Sequence, residues 1–410
     1  AQGLVENVQI LSSNLVQNGD FSEEGVQEIS NGSFSQEGVQ LVTNGSFDTD
    51  SDWTKQTGWS ISGGTANCDG TQTANSLIYQ SGVFASADSF KCEITISNYQ
   101  SGVLRFVLGG GGSEQSYSAN GTYTFYGTKG SDNNLYLSAN SDFIGSIDNV
   151  SVREVAQNWN LGTGWSIAED KAVATNVVNT FLIQNSILTT GKTYKITYTV
   201  QDYTSGAVRF RASLVSGATN SGNGTYTDYI VSGGTQFALQ GLNNFNGSIT
   251  NISVKKVGQN WDIENTWTIT DGVANGNGAN GTSEELVQNG VTTSGKTYAI
   301  TYEIKNYVSG TIRTRKPNGA LYSANGTYTE LVLADATTLI FTGANFIGSI
   351  TNISVIEITD DTNLPRINYE GFSYDGSGNI IPDSGCGSWL FEPQSTNLFN
   401  NSEDFSSGSW

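Results

Sequence analysis

One charged residue returns in each third of this 410-residue chain: Arg105, Arg209 and Arg313, each 104 positions from the last. Each follows a Ser-Gly pair at the start of an alternating stretch. A guanidinium there can grip an anionic ligand, pair with a carboxylate, or lay its stem flat on an aromatic face. Recurrence in all three thirds favours the structural roles. The second third adds Arg211, two positions on and so facing the same way on a strand, with Tyr203 just upstream. Arg209, Arg211 and Tyr203 form the candidate ligand-binding set. The ligand expected for them is an acidic host-surface polysaccharide, because this third alone is net positive, at +3.

Catalysis has little to work with. The chain has no His, which removes Ser-His-Asp and Cys-His mechanisms and His-ligated zinc or haem. Cleaving a glycosidic bond takes two carboxylates placed across it. No acid stands in all three thirds: Asp148 becomes Thr250 and Thr351, Glu154 becomes Lys256 and then Glu357, and Asp202 faces Asn98 and Asn306. We expect no enzyme.

The elements that must hold these residues are repeated too. Trp pairs six apart open each third: Trp53/Trp59, Trp159/Trp165 and Trp261/Trp267. Then come Phe90 to Ile94, Tyr194 to Tyr198 and Tyr298 to Tyr302, followed by Asn98, Asp202 or Asn306 leading into Tyr-x-Ser-Gly. Asn-Gly-Thr-Tyr-Thr begins at Asn120, Asn223 and Asn325, and a closing strand begins at Phe143, Phe245 and Phe346. A period near 100 residues is a domain repeat rather than a solenoid coil, which runs about 20–50. Within each, apolar residues alternate, as in Tyr194, Ile196, Tyr198 and Val200 against Thr193, Lys195, Thr197 and Thr199. One buried and one wet face is the pattern of an antiparallel sandwich. The expected architecture is all-β: tandem antiparallel β-sandwiches over 51–155, 156–257 and 258–358, in an elongated chain. The closing strands step by three and then two between apolar positions, so each should carry a β-bulge, near Asn149, Asn251 and Asn352. Cys92 takes the place of Ile196 and Ile300 and should be buried; Cys68, in the same repeat, leaves a disulfide open.

Residues 1–50 carry a shorter period. Asn18-Gly-Asp-Phe21, Asn31-Gly-Ser-Phe34 and Asn44-Gly-Ser-Phe47 recur every 13 residues. Units this short cannot bury a core alone. They must pair with one another, with the first large repeat, or with other chains. Each Phe is expected to bury itself against another chain or a neighbouring unit, which would make the protein a homo-oligomer, a trimer by first choice.

Net charge is −20, with −8 in residues 1–50 and −7 in 359–410. That excludes phosphate-backbone binding, which needs clustered basic residues, so no nucleic-acid partner is expected. No apolar run approaches the ~18 residues that would span a membrane as a helix. Ala1 is not an initiating Met, and we read the 410 residues as part of a longer chain.

The run from Leu41-Val-Thr-Asn-Gly-Ser-Phe47 through Trp53 and Gly58-Trp-Ser-Ile61 to Gly145-Ser-Ile-Asp-Asn-Val-Ser-Val152 resembles the carbohydrate-binding-module jelly roll. The second and third repeats match less well, because neither has an Asn-Gly-x-Phe opening before its first Trp. At the other end, Leu364-Pro-Arg-Ile-Asn-Tyr369, Leu390-Phe-Glu-Pro-Gln-Ser-Thr-Asn-Leu398 and Ser402-Glu-Asp-Phe405 resemble a stretch of phage tail and head fibre proteins. There it precedes another jelly roll, so 359–410 should be a linker and the start of a further domain.

The resemblance implies a virion fibre or spike protein, located on the particle outside the cell. Its sandwiches would act as spacers and contact host glycans, with other virion proteins as partners. The alternative is a secreted adhesin or the carbohydrate-binding array of a polysaccharide-degrading protein. Sandwiches of this class often hold calcium through carboxylates near the first and last strands. Asp48 or Asp50 with Asp148 could supply one Ca2+ in the first repeat only. No other cofactor is expected.

Overall fold

The computed structural model describes residues 10–84, 89–263, 267–278 and 285–359, with the backbone of four three-residue strands between Arg366 and Leu390. Every regular element among the described residues is a β-strand. The protein is a tandem of jelly-roll-type antiparallel sandwiches.

In the first repeat, strand Ser89–Ser101 buries Phe90, Cys92, Ile94 and Ile96 and turns Lys91, Glu93 and Thr95 outward. It belongs to a front sheet ordered Gly121–Thr128, Ser89–Ser101, Ile144–Glu154, Thr65–Asp69, Trp59–Ser62. A back sheet runs Thr54–Lys55, Ser76–Gln80, Leu135–Ala139, Leu104–Leu108, Glu114–Tyr117. The core lies between them and includes Trp53, Trp59, Phe106 and Phe143. Cys92 is fully buried, Cys68 is buried beside the same core, and both thiols are free, so no disulfide joins them.

In the other two repeats the sheets share long strands. Thr193–Ala212 and Phe237–Val257 pair along their length in the second, as Thr297–Lys316 and Thr338–Thr359 do in the third. The change of sheet falls at the Tyr-x-Ser-Gly hinge. The residue just before it takes a left-handed φ in every repeat, at Asn98, Asp202 and Asn306, a conformation that Asn and Asp tolerate best after Gly. The closing strands slip register between Asp148 and Ser151, Thr250 and Ser253, and Thr351 and Ser354. Asn149, Asn251 and Asn352 sit inside these bulges with φ near +52 to +53.

The short N-terminal units find their partners in the same chain. The first large repeat, one of the expected partners, takes only the last unit, and the second and third repeats take the other two. Phe47 packs on Trp53 with ring centroids 5.1 Å apart, Phe34 on Trp159 at 5.3 Å and Phe21 on Trp261 at 5.3 Å. All three Phe rings are at most 2% exposed. Residues 10–50 thus form a strap that meets the repeats in reverse order, its first unit on the third repeat and its last on the first. The strap also supplies the Asn-Gly-x-Phe opening that the second and third repeats lack in their own sequence.

Each docking uses the same contacts. The Trp indole N–H donates to the carbonyl of the strap Asn at 3.0 Å: Trp53 to Asn44, Trp159 to Asn31 and Trp261 to Asn18. The strap Gly carbonyl accepts the backbone N–H inside the bulge at 2.9 Å: Val150 to Gly45, Ile252 to Gly32 and Ile353 to Gly19. A Cβ on any of these glycines would run into the carbonyl oxygen of the same bulge residue. A buried Gln at the end of one back-sheet strand clamps the strap backbone through both amide atoms: Gln80 on Thr43, Gln184 on Ser30 and Gln288 on Gln17. Gln80, Gln184 and Gln288 are themselves 104 apart.

The described residues form two compact units, Glu24–Val257, and 10–23 with 258–359. Phe34 and Phe47 dock within the former, and Phe21 docks within the latter.

Candidate functional site

The back sheet of the second repeat carries the candidate site on its outer face. Alternation along Thr193–Ala212 buries Val208 and Phe210 and turns Arg209 and Arg211 outward. The neighbouring strand places Gln240 opposite Arg209 and Ala238 opposite Arg211. Beyond it, Phe181 lies opposite Gln240, and Ile183 opposite Ala238. The Arg209 Nε–H donates to Gln240 Oε1 at 2.9 Å. The Arg211 guanidinium lies over the Phe181 ring, 5.9 Å from its centroid, and its buried Nε has no hydrogen-bond partner.

On each counterpart face one arginine is paired with a carboxylate. Arg105 reaches Glu114 at 3.3 Å. In the third repeat Arg313 donates to Asn318 at 3.2 Å, and Arg315, at the Arg211 position, is paired with Glu285. No carboxylate among the described residues pairs with Arg209 or Arg211. Two uncompensated guanidiniums, spaced by about 7 Å of strand and oriented by an aromatic ring and an amide, are suited to an anionic ligand with planar oxygens.

Tyr203 does not join them. Its hydroxyl donates to the Gly206 carbonyl at 3.0 Å and its backbone N–H is taken by Asn223 Oδ1 at 2.9 Å. Tyr99 and Tyr307 make the same two bonds. Tyr203 thus locks the hinge of the second repeat, as Tyr99 and Tyr307 lock those of the first and third. Phe181 and Gln240 join the face beside the arginines, and Tyr79 and Tyr136 are a directly opposed pair on the back sheet of the first repeat with ring centroids 5.8 Å apart. Alternation signals the outward positions of Phe181, Tyr79 and Tyr136, whereas Gln240 is buried.

The expected calcium ligands are not gathered. Asp48 accepts from the Ser46 hydroxyl at 2.7 Å, and Asp50 is paired with the Lys55 ammonium. Asp148 takes the Asn149 backbone N–H at 2.6 Å. No group of three or more Asp, Glu, Cys or His that could hold a metal ion stands together among the described residues.

No protein-family description matches the chain, and no curated protein does. Among solved structures it is similar to the tandem CBM22-1–CBM22-2 domain of Paenibacillus barcinonensis Xyn10C, at 11% identity and a TM-score of 0.23, covering 54% of this chain and 99% of that one. It is also similar to a chain of the Sulfolobus Turreted Icosahedral Virus, at 12% identity and a TM-score of 0.18, covering 75% of this chain and 90% of that one. A third is a triple-jelly-roll protein of an archaeal virus turret, at 14% identity and a TM-score of 0.18, covering 75% and 89%.

Proposed function

We propose that this chain is a non-catalytic structural segment of a virion fibre or spike, built as a spacer of strapped sandwiches that also contacts host-surface polysaccharide. The observation that supports it is the strap. One continuous N-terminal segment completes three successive sandwiches through the same Phe–Trp, Asn–Trp and Gln contacts. Pulling one sandwich open requires pulling a strand out of its core, which suits a projecting part that bears force. The adhesive role rests on Arg209 and Arg211. Weak contacts of this kind add through effective concentration when several copies are held together, so a homo-oligomer, a trimer for a fibre, belongs to this reading.

The Tyr79–Tyr136 pair favours a second reading, a secreted adhesin or carbohydrate-binding array, because neighbouring aromatic rings on an outer sheet face can also stack neutral sugars. A glycan array separates the two. The first reading predicts binding to acidic polysaccharides that weakens with salt and is lost in Arg209→Ala and Arg211→Ala. Binding to neutral glycans, lost in Tyr79→Ala and kept in the arginine variants, supports the second. No binding in any form leaves the sandwiches as spacers alone.

A further inference from the structure

The outer face of the front sheet changes character along the chain. In the first repeat Tyr126, Lys91 and Arg153 lie side by side across it, with strap residue Glu37 paired to both cations. In the second, Lys195 and Lys255 share Glu24 of the strap at 2.6 and 2.9 Å. In the third, the same positions read Leu331, Ala299 and Ile356, and the strap residue is Leu11. One pair along, Leu333, Thr297, Ile358 and Leu11 are in register.

Opposed residues of paired strands point to the same side, so these leucines, isoleucines and Ala299 form one apolar patch. Leu331, Leu333 and Leu11 are 67%, 66% and 57% exposed. The two leucines of Gly326–Leu333 stand on a strand that, among the described residues, pairs only with Thr297–Lys316 and so forms an edge. A contiguous exposed apolar face marks a docking surface.

The first repeat shows what occupies this face. There the ring of Tyr126, at the Leu331 position, packs against the core of the second repeat, and the Glu169 backbone N–H reaches its phenol oxygen. The chain leaves the first repeat from the strand Ile144–Glu154 of that sheet, and an element it forms next, Trp165–Ala168, lies against Gly121–Thr128.

The chain leaves the third repeat in the same way, at Thr359. Its next elements are two small ladders, Arg366–Asn368 with Ser388–Leu390 and Phe372–Tyr374 with Ile380–Pro382. Their sequences, Arg-Ile-Asn, Ser-Trp-Leu, Phe-Ser-Tyr and Ile-Ile-Pro, are rich in large apolar residues. Ladders this small are not stable alone in water, so they need an apolar surface to form on. We propose that these two ladders dock on the Leu331, Leu333, Ile356 and Ile358 face of the third repeat, as the second repeat docks on the first. The short link over 360–365 holds the two at high effective concentration.

Hydrogen exchange read by mass spectrometry on the full chain tests this. The variant is Leu331→Thr with Leu333→Thr, which keeps the β-propensity of the strand and copies its own Thr327 and Thr329. In the unsubstituted chain the amides of 366–368 and 388–390 should exchange slowly. In the variant they should speed up by about tenfold or more, while amides of 298–304 hold their rate and both proteins stay in the same oligomeric state by light scattering. Unprotected 366–368 and 388–390 amides in the unsubstituted chain overturn the proposal. So does protection that survives the variant. An oligomer that dissociates on substitution also overturns it, and assigns the face to a second copy.

Discussion

The ring of Phe34 lies 5.3 Å from that of Trp159, in a repeat that begins more than a hundred residues later in the chain. The contact is one of three, and it makes a 13-residue sequence unit part of the core of a ~100-residue sandwich. The first prediction follows from removing it. Truncating a buried aromatic costs roughly 3–5 kcal/mol. Phe34→Ala should destabilise the second repeat by about that much, and urea unfolding followed by exchange of peptides from 194–200 would show it. Peptides from 90–96, whose repeat is docked by Phe47, should keep their protection.

The strap glycines give a sharper contrast. A Cβ at Gly45 meets the Val150 carbonyl, whereas one at Gly191 meets nothing within 4 Å although its φ is +76. Gly45→Ala should cost on the order of 2–3 kcal/mol through the clash and the lost seat. Gly191→Ala carries only the left-handed penalty, roughly 1 kcal/mol. Equal midpoints for the two variants in denaturant would contradict the docking geometry.

Much of this was legible in the sequence. Alternation gave the facing of Arg209 and Arg211 and the burial of Cys92, and the three-then-two spacing located the bulges at Asn149, Asn251 and Asn352. The strap partners were not legible, because a contact between Phe21 and Trp261 leaves no local trace in either segment. The Asn-Gly-x-Phe motif absent from the second and third repeats was a clue, since it stood upstream in the right number of copies. Gln80, Gln184 and Gln288 showed the same 104-residue step as the arginines, but a Gln at a strand end signals nothing until a backbone lies against it. The bond from Tyr203 to the Gly206 carbonyl was not legible, because the two face each other only after the hinge folds. Phe181 and Gln240 joined the arginines through sheet order, which alternation does not specify.

The strap is also held by charge. Lys195 and Lys255 beside Glu24 hold its carboxyl below the ordinary value of 4.5. A depressed carboxyl contributes stability that is present above its unfolded pKa and lost as pH falls through the folded one. Strap docking on the second repeat should therefore weaken below about pH 4.5. Glu24→Gln should loosen residues 24–28 at pH 7 and flatten this acid response, read by exchange of that peptide across pH 3–7. An unchanged acid response in Glu24→Gln would remove the ion pairs from the account.

Burial pushes the Cys92 thiol well above 9.0, and Cys68 is raised as well. Thiolate, not thiol, reacts with alkylating agents. At pH 8 the peptides holding Cys68 and Cys92 should be labelled slowly in the native protein and rapidly in urea. Prompt native labelling of Cys92 would place it outside the core.

The central claim is that one chain's own strap completes its sandwiches. Gln27 and Lys255 are opposed across the strap and the closing strand of the second repeat. In a Cys386→Ser background, Gln27→Cys with Lys255→Cys should oxidise to a disulfide that leaves the protein at single-chain mass on a non-reducing gel. A ladder of cross-linked chains would show that the strap docks on a different copy, and failure to cross-link at all would show that it does not dock in this register.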